Sequence, residues 1–314
     1  MNEDHMRDSK TNNAAVLNRD EHEKRMAAIT SVIAAVGLTA FKIIVGQSTG
    51  SLGILAEAAH SGLDLVAAII TYLAIRISVR PADRDHLYGH GKVENLSALF
   101  ETLLLLATCI WIIYEAIQRL FYKTVAVEAT VWSFFVMAVS IAVDYSRSRI
   151  LFRAAKKHNS QALEADALHF STDIWSSGVV ILGLICVKIS EWNSSIFFLK
   201  KADALAALVV AVIVIYISVR LGIRTVQALI DAAPSGLYNE IKKTVEDLPG
   251  VYDCHNIRFR YSGPQVFIDV HILTDGDQSL ASAHDLTVEI EKAIQEVLPN
   301  ADVTVHPEPS YVKK

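Results

Sequence analysis

Cysteine is almost missing from this sequence. Cys109, Cys186 and Cys254 are the only three, far apart and without a CxxC pair. That argues against a disulfide framework and equally against a thiolate zinc site. Charge of one sign is also scarce: a formal net charge of −5 offers no basic surface for a polyanion, so no nucleic-acid partner is expected. Residues 1–25 are polar and lack the apolar core of a signal peptide; they are expected to form a soluble, disordered cytoplasmic tail. "GHGK" at 89–92 lacks the first glycine of a P-loop, and Val93 follows its lysine where Ser or Thr is needed. No nucleotide site is visible, which leaves an ion gradient as the expected energy source. HExxH is absent as well, and with it the general base of a zinc hydrolase.

What the chain has in abundance is apolar length. It is 52% hydrophobic with a mean hydropathy of +0.33, and the apolar residues collect in runs. Runs of roughly 20 residues cross a ~30 Å hydrocarbon core as helices. Six spans are marked: Met26–Val45, Leu52–Ile77, Val93–Phe121, Ala129–Ile150, Gln161–Ile189 and Ala202–Ile230. Beyond Pro234 the pattern becomes helix (Leu237–Leu248), strand (Asn256–Tyr261), strand (Gln265–Leu273), helix (Leu280–Leu298) and strand (Asp302–His306), with "YSGPQ" turning between the first two strands. The expected fold is therefore an all-α six-helix transmembrane domain, residues 26–232, followed by a small α+β (αββαβ, ferredoxin-like) cytoplasmic domain, residues 233–314. Lys24 and Arg25, then Arg76, Arg80, Arg84 and Lys92, then Arg147, Arg149, Arg153, Lys156 and Lys157 fall on one side of the bilayer. By the positive-inside rule both termini are cytoplasmic, with Lys200 and Lys201 dissenting.

Two spans carry the same polar pattern. "AEAAHSGLD" (56–64) and "ADALHFSTD" (165–173) both read Ala, acid, Ala, any, His, three others, Asp. Residues i and i+4 share a helix face, so His60 points with Asp64 and His169 with Asp173. An isolated carboxylate at membrane depth costs several kcal/mol, so such groups face a partner or a watery cavity. If the two faces meet, two imidazoles and two carboxylates converge, a set suited to a tetrahedral Zn²⁺ whose charge the acids neutralise. The competing reading is an interhelical hydrogen-bond pair that only fastens two helices. Glu57 and Asp166, three residues before each histidine, are assigned supporting roles.

In the loop "PADRDHLYGHGKVE", spacings of three and four let Asp83, His86 and His90 converge on one ion; a solvated polar loop is the alternative. In "QVFIDVHIL" alternation puts Phe267, Asp269 and His271 on one face and Val266, Ile268, Val270 and Ile272 on the other. His271 therefore projects from the polar face of a half-buried strand.

The paired motif on spans two and five, six spans and an αββαβ tail together resemble the cation diffusion facilitator family, and within it the bacterial YiiP (FieF)-like zinc and iron exporters. The resemblance covers nearly the whole chain after Met26. It implies a homodimer in a bacterial plasma membrane that exchanges divalent metal for protons, with His60, Asp64, His169 and Asp173 as the transport site. It implies a loop metal site at Asp83, His86 and His90, and an ion pair of Lys92 with Asp231 between the membrane and cytoplasmic parts. It also implies a binuclear site in the tail: His255 and His271 on one ion, His284 and His306 on the other, bridged by Glu308. Two departures stand out. Such relatives often carry Asp at the position of His60, and His there resembles the zinc-selective branch. Glu308 stands where similar proteins have Asp, which lengthens the bridging arm. Cys254, beside His255, reads as a small buried residue or an extra soft ligand.

The expected function is export of Zn²⁺ from the cytoplasm as a metal/proton antiporter, with Cd²⁺ and Fe²⁺ as alternative substrates and Leu63 and Leu168 as seals against water. No enzyme activity is expected. The alternatives are a membrane-bound metal sensor or scaffold without transport, an intramembrane zinc enzyme, and a passive channel.

Overall fold

The computed structural model describes residues 3–121, 131–192, 202–233, 236–263, 265–299 and 301–310. Lys200 and Lys201, the first two residues of the expected fourth span and Pro264 of the tail turn lie outside them. Long helices come first: α1 (Glu3–Thr49), α2 (Leu52–Ser78), α3 (Lys92–Phe121), α4 (Val131–His158), α5 (Gln161–Trp192) and α6 (Ala202–Leu229). Gly50, at φ 65°, breaks α1 from α2, and Ser51 caps α2 by accepting from the Ile54 N–H. The buried face of α2 repeats every three to four residues: Ile54, Ala58, Ser61, Asp64, Ala67, Ala68, Thr71, Ala74 and Ile75. Most of these are small, which lets α1, α3 and α5 approach closely. Outward-facing Ile69, Leu73, Ile110 and Trp111 are exposed, as lipid contact requires.

Among the described residues four helical segments are apolar and long enough to cross a membrane: Asp20–Thr49, Leu52–Ser78, Lys92–Gln118 and Leu208–Leu229. The fourth and fifth expected spans are present as α4 and α5, but their described parts fall short of that composition. For α4 the reason is visible in its side chains; for α5 the apolar stretch Val179–Ile189 of the expected span lies largely outside the side chains described. Asp144 and Arg147 on α4 and Asp166 and His169 on α5 are buried polar groups that face the bundle, not lipid.

The N-terminal expectation needs correction. Residues 3–25 are helical and run without a break into the first span. No glycine or proline occurs before Gly37, so nothing in the backbone interrupts the helix. Tertiary contacts then fix it: Glu23 meets Lys157 and, at 3.2 Å, His158, and Lys24 reaches Glu94 at 3.5 Å.

The tail folds as α7 (Leu237–Glu246), β1 (Asp253–Ser262), β2 (Gln265–Asp275), α8 (Leu280–Val297) and β3 (Ala301–Ser310). The sheet order is β1-β2-β3, with β1 antiparallel and β3 parallel to β2. One face is apolar: Ile268, Val270 and Ile272 pack with Ile241 and Val245 of α7 and with Ile290 and Ile294 of α8. Each such side chain contributes about 1.5–3 kcal/mol on burial. The opposite face keeps its histidines in register, His255 beside His271 and His271 beside His306.

The α2–α3 loop seats the tail on the bundle. Arg260 lies 3.5 Å over the Tyr88 ring, Phe267 meets that ring edge-on at 5.2 Å, and the Gly263 N–H donates to Asn95 Oδ1 at 3.0 Å. A Cβ on Gly91 would stand 2.2 Å from the Ser262 carbonyl oxygen, a contact no real atom makes. Gly91→Ala is therefore expected to cost ~1–3 kcal/mol. Thermal unfolding in detergent checks it: an unchanged midpoint would mean that the hairpin does not dock here.

Candidate metal centres

Three clusters in the described residues bring histidines and carboxylates within ligand spacing. The first lies between α2 and α5. One donor atom each of His60, Asp64 and Asp173 falls within 4.8 Å of the others. His60 Nε2 is 3.9 Å from Asp173 Oδ1; His169 Nε2 is 3.1 Å from Asp64 Oδ1 and 3.7 Å from Asp173 Oδ2. The two i, i+4 faces thus meet, and each histidine faces a carboxylate of the other helix. The site is asymmetric: the His60 side chain is 45% exposed and that of His169 only 4%, so it opens on the α2 side. Leu168 packs in the core against Ala98, Ala165 and Leu221, whereas Leu63 is 64% exposed and seals nothing within this chain.

Around this cluster lies a polar network of which motif reading named only Glu57 and Asp166. Lys42 of α1 donates to Ser61 Oγ at 2.8 Å and to Glu57 Oε2 at 3.3 Å. Arg147 donates to Ser31 Oγ at 3.1 and 3.2 Å, to Asp144 Oδ1 at 3.4 Å, and stacks 3.5 Å over Phe170. Ser31 in turn donates to Asp166 Oδ2 at 3.5 Å. Glu101 of α3 accepts from Thr71 Oγ1. Lys42 and Glu101 are lone charged residues in apolar runs, the one signal that marks them in the sequence.

The second cluster is the loop. Asp83 Oδ1 is 3.1 Å from His86 Nδ1 and its Oδ2 is 3.3 Å from His90 Nε2, while the two rings are 4.4 Å apart. Backbone N–H groups of His86 and Asp85 donate to Asp83 and hold its carboxyl below the usual range. All three expected residues converge.

The third cluster is on the open face of the tail sheet. His271 Nδ1 is 2.7 Å from Glu308 Oε1, His255 Nε2 is 3.5 Å from Glu308 Oε2, and the His306 ring is 4.7 Å from that of His271. The contact with His271 holds the Glu308 carboxyl below its ordinary value. Asp253, 3.0 Å from His255 Nδ1, is an acid that strand alternation did not bring forward. His284 does not join this group. It is exposed near the start of α8, and α8 packs on the apolar face of the sheet, opposite His271. Cys254 is no ligand here: it points into the core, and burial pushes its thiol up to about 11.

Lys92 Nζ lies 2.8 Å from Asp231 Oδ1 and donates to the Leu229 carbonyl at 3.2 Å. Asp231 holds a left-handed φ of 61° just beyond α6, so the ion pair fixes the turn between bundle and tail.

A bundle of long apolar helices with a His/Asp cluster inside it, joined to an αββαβ domain with another, defines a multi-pass membrane protein that handles cations. Residues 28–230 match the cation efflux transmembrane domain and residues 233–310 the cation efflux protein cytoplasmic domain. The chain belongs to the cation efflux family, the cation diffusion facilitators. It is 31% identical over 287 residues to the cation-efflux pump FieF of Pectobacterium atrosepticum, covering 90% of this chain and 92% of that one. It is 32% identical over 293 residues to FieF of Salmonella arizonae, covering 91% and 93%. Among solved structures, the metal-bound C-terminal domain of the CzcD transporter from Thermotoga maritima is 35% identical, covers 25% of this chain and 92% of its own, and has a TM-score of 0.23.

Proposed function

We propose that this cation efflux protein exports Zn²⁺ from the cytoplasm in exchange for protons, with His60, Asp64, His169 and Asp173 as the transport site. The observation that carries the reading is the meeting of the two helix faces: donor atoms of His60, Asp64 and Asp173 within 4.8 Å, and His169 against Asp64 at 3.1 Å. Two carboxylates balance the charge of one divalent ion, and two imidazoles make the set softer than an all-oxygen site, which favours Zn²⁺ over Mn²⁺. Cd²⁺ and Fe²⁺ are alternative substrates of the same site. Neutral imidazoles and ionised carboxylates hold the ion when the site faces the cytoplasm. Protons from the far side displace it, because each ligand lone pair that takes a proton is lost to the metal. A free imidazole titrates at about 6.5, so a modest pH difference is usable.

The same reading places both termini in the cytoplasm and the helices of residues 26–232 in the plasma membrane. The tail, residues 233–314, pairs with the tail of a second copy. His255, His271, His306 and Glu308 then act as a sensor that stabilises the paired tails, and His284 contributes only across such a pair. The Asp83–His86–His90 cluster is a further metal site, and Lys92–Asp231 is the hinge between the parts. Flux into proteoliposomes tests the reading. Zn²⁺ uptake should proceed with counter-movement of protons, and Cd²⁺ and Fe²⁺ should compete. Metal flux without proton movement would make the protein a channel; no flux at all would make it a sensor or scaffold.

A further inference from the structure

His169 uses one ring nitrogen and leaves the other idle. Its Nε2 faces Asp64 and Asp173, while its Nδ1 is buried without a hydrogen-bond partner. A neutral imidazole that gives Nε2 to a metal ion carries its proton on Nδ1, and a buried N–H without an acceptor has lost its hydration for nothing in return. Metal-ligating histidines generally meet this demand with a carboxylate, a carbonyl or a water behind the ring, and that acceptor also fixes the ring's orientation.

Two buried carboxylates stand within electrostatic reach of the ring, and each keeps one oxygen unpartnered: Glu101 Oε2 and Asp166 Oδ1. They are not equivalent. Asp166 accepts from Ser31 through its other oxygen, and the Arg147 guanidinium supplies it with a fixed cation. Glu101, 2% exposed, is held by the Thr71 hydroxyl through Oε1. The titratable groups that reach it are Asp166 and His169, so the imidazole, not a fixed cation, is the donor it faces.

We propose that Glu101 is the positioning carboxylate of His169: its free Oε2 receives the Nδ1–H through one bridging water when Nε2 holds the transported ion. This rests on the transport reading above. Thr71 lies on α2, Glu101 on α3 and His169 on α5, so the chain Thr71–Glu101–His169 makes the ligand's orientation depend on how three helices sit against one another. Glu101 touches neither ion nor substrate; it acts through the ring.

The test uses the full-length protein in detergent, carrying Asp83→Ala and His271→Ala to silence the loop and tail clusters, with Zn²⁺ and Co²⁺ as probes. Glu101→Ala should weaken Zn²⁺ binding by about 10–100-fold. Glu101→Gln keeps an acceptor oxygen and should recover most of that loss. The Co²⁺ ligand-field band should shift in the alanine variant and return in the glutamine variant, which a purely structural role would not produce. Zn²⁺ binding within twofold of the parent in Glu101→Ala overturns the proposal. So does a loss seen in Asp166→Asn but not in Glu101→Ala. Should Glu101→Ala fail to fold, Thr71→Val decides: releasing Glu101 from its hydroxyl must shift the Co²⁺ band, and an unshifted band overturns the proposal. A parent that binds no Zn²⁺ overturns the transport reading and this inference with it; one that binds but ignores Glu101 overturns this inference alone.

Discussion

Asp173→Ala is expected to reduce the initial rate of Zn²⁺ uptake into proteoliposomes on the order of 100-fold or more. Asp173 is the carboxylate that both histidines share, 3.9 Å from His60 Nε2 and 3.7 Å from His169 Nε2. Without it the site keeps two imidazoles and one acid, so a bound divalent ion retains an uncompensated positive charge at membrane depth, where charge is costly. Loss of groups that merely orient a ligand already costs about 10–100-fold in affinity, and loss of the ligand should cost more. Glu57→Ala provides the contrast. Its side chain is 54% exposed and touches Lys42, so its removal should leave most of the rate. An Asp173→Ala protein that kept more than a tenth of the parent rate would rule out this carboxylate as a ligand.

The pairing of His60 with Asp64 and of His169 with Asp173 was legible because the i, i+4 spacing fixes a face regardless of what surrounds it. Which face each helix turns inward is a tertiary property, yet two polar faces in two apolar helices have few places to go but toward each other. Glu101, Asp144 and Arg147 lack that help. Glu101 stands alone in its run, and although Asp144 and Arg147 pair at i, i+3, nothing in sequence says which helix that pair faces. His284 shows the limit from another side: its spacing from His271 carries no information on which face of the sheet α8 covers.

Strand ends were lost for local reasons. The register shifts between His255 and Arg258, with Asn256 at φ 51°, so alternation breaks and hides the start of β1. The last strand, expected to end at His306, runs on through Pro307 and Pro309 to Ser310: β3 is an edge strand, and two prolines at alternate positions can direct their missing N–H groups away from β2. The helical N-terminal segment was hidden by its polarity, since composition does not reveal that Lys24 finds a buried partner.

That partner makes Lys24 the position where a single substitution should cost the most stability. Lys24 Nζ lies 3.5 Å from Glu94 Oε2, and the two side chains are only 5% and 1% exposed. Ser78 Oγ donates to the same oxygen at 3.4 Å, and Glu94 Oε1 has no hydrogen-bond partner. Lys24→Met keeps the length of the side chain and removes its charge, leaving Glu94 buried against one hydroxyl. Breaking a buried pair in this way costs about 3–5 kcal/mol, because the remaining charge has neither water nor counter-ion. Glu94→Met should cost as much, by stranding the ammonium. The double variant Lys24→Met/Glu94→Met removes both charges and should stand close to the parent or above it. Unfolding in detergent of the parent, the two single variants and the double variant forms a closed cycle that isolates the pair. Single variants within 1 kcal/mol of the parent would show that water reaches Glu94 and that the pair does not fasten α1 to α3. Two weak singles and a restored double would instead locate the cost in the unpaired charge, not in the packing of the helix ends. The link between α1 and the start of α3 would then be an electrostatic one, built outside the apolar length that the sequence advertises.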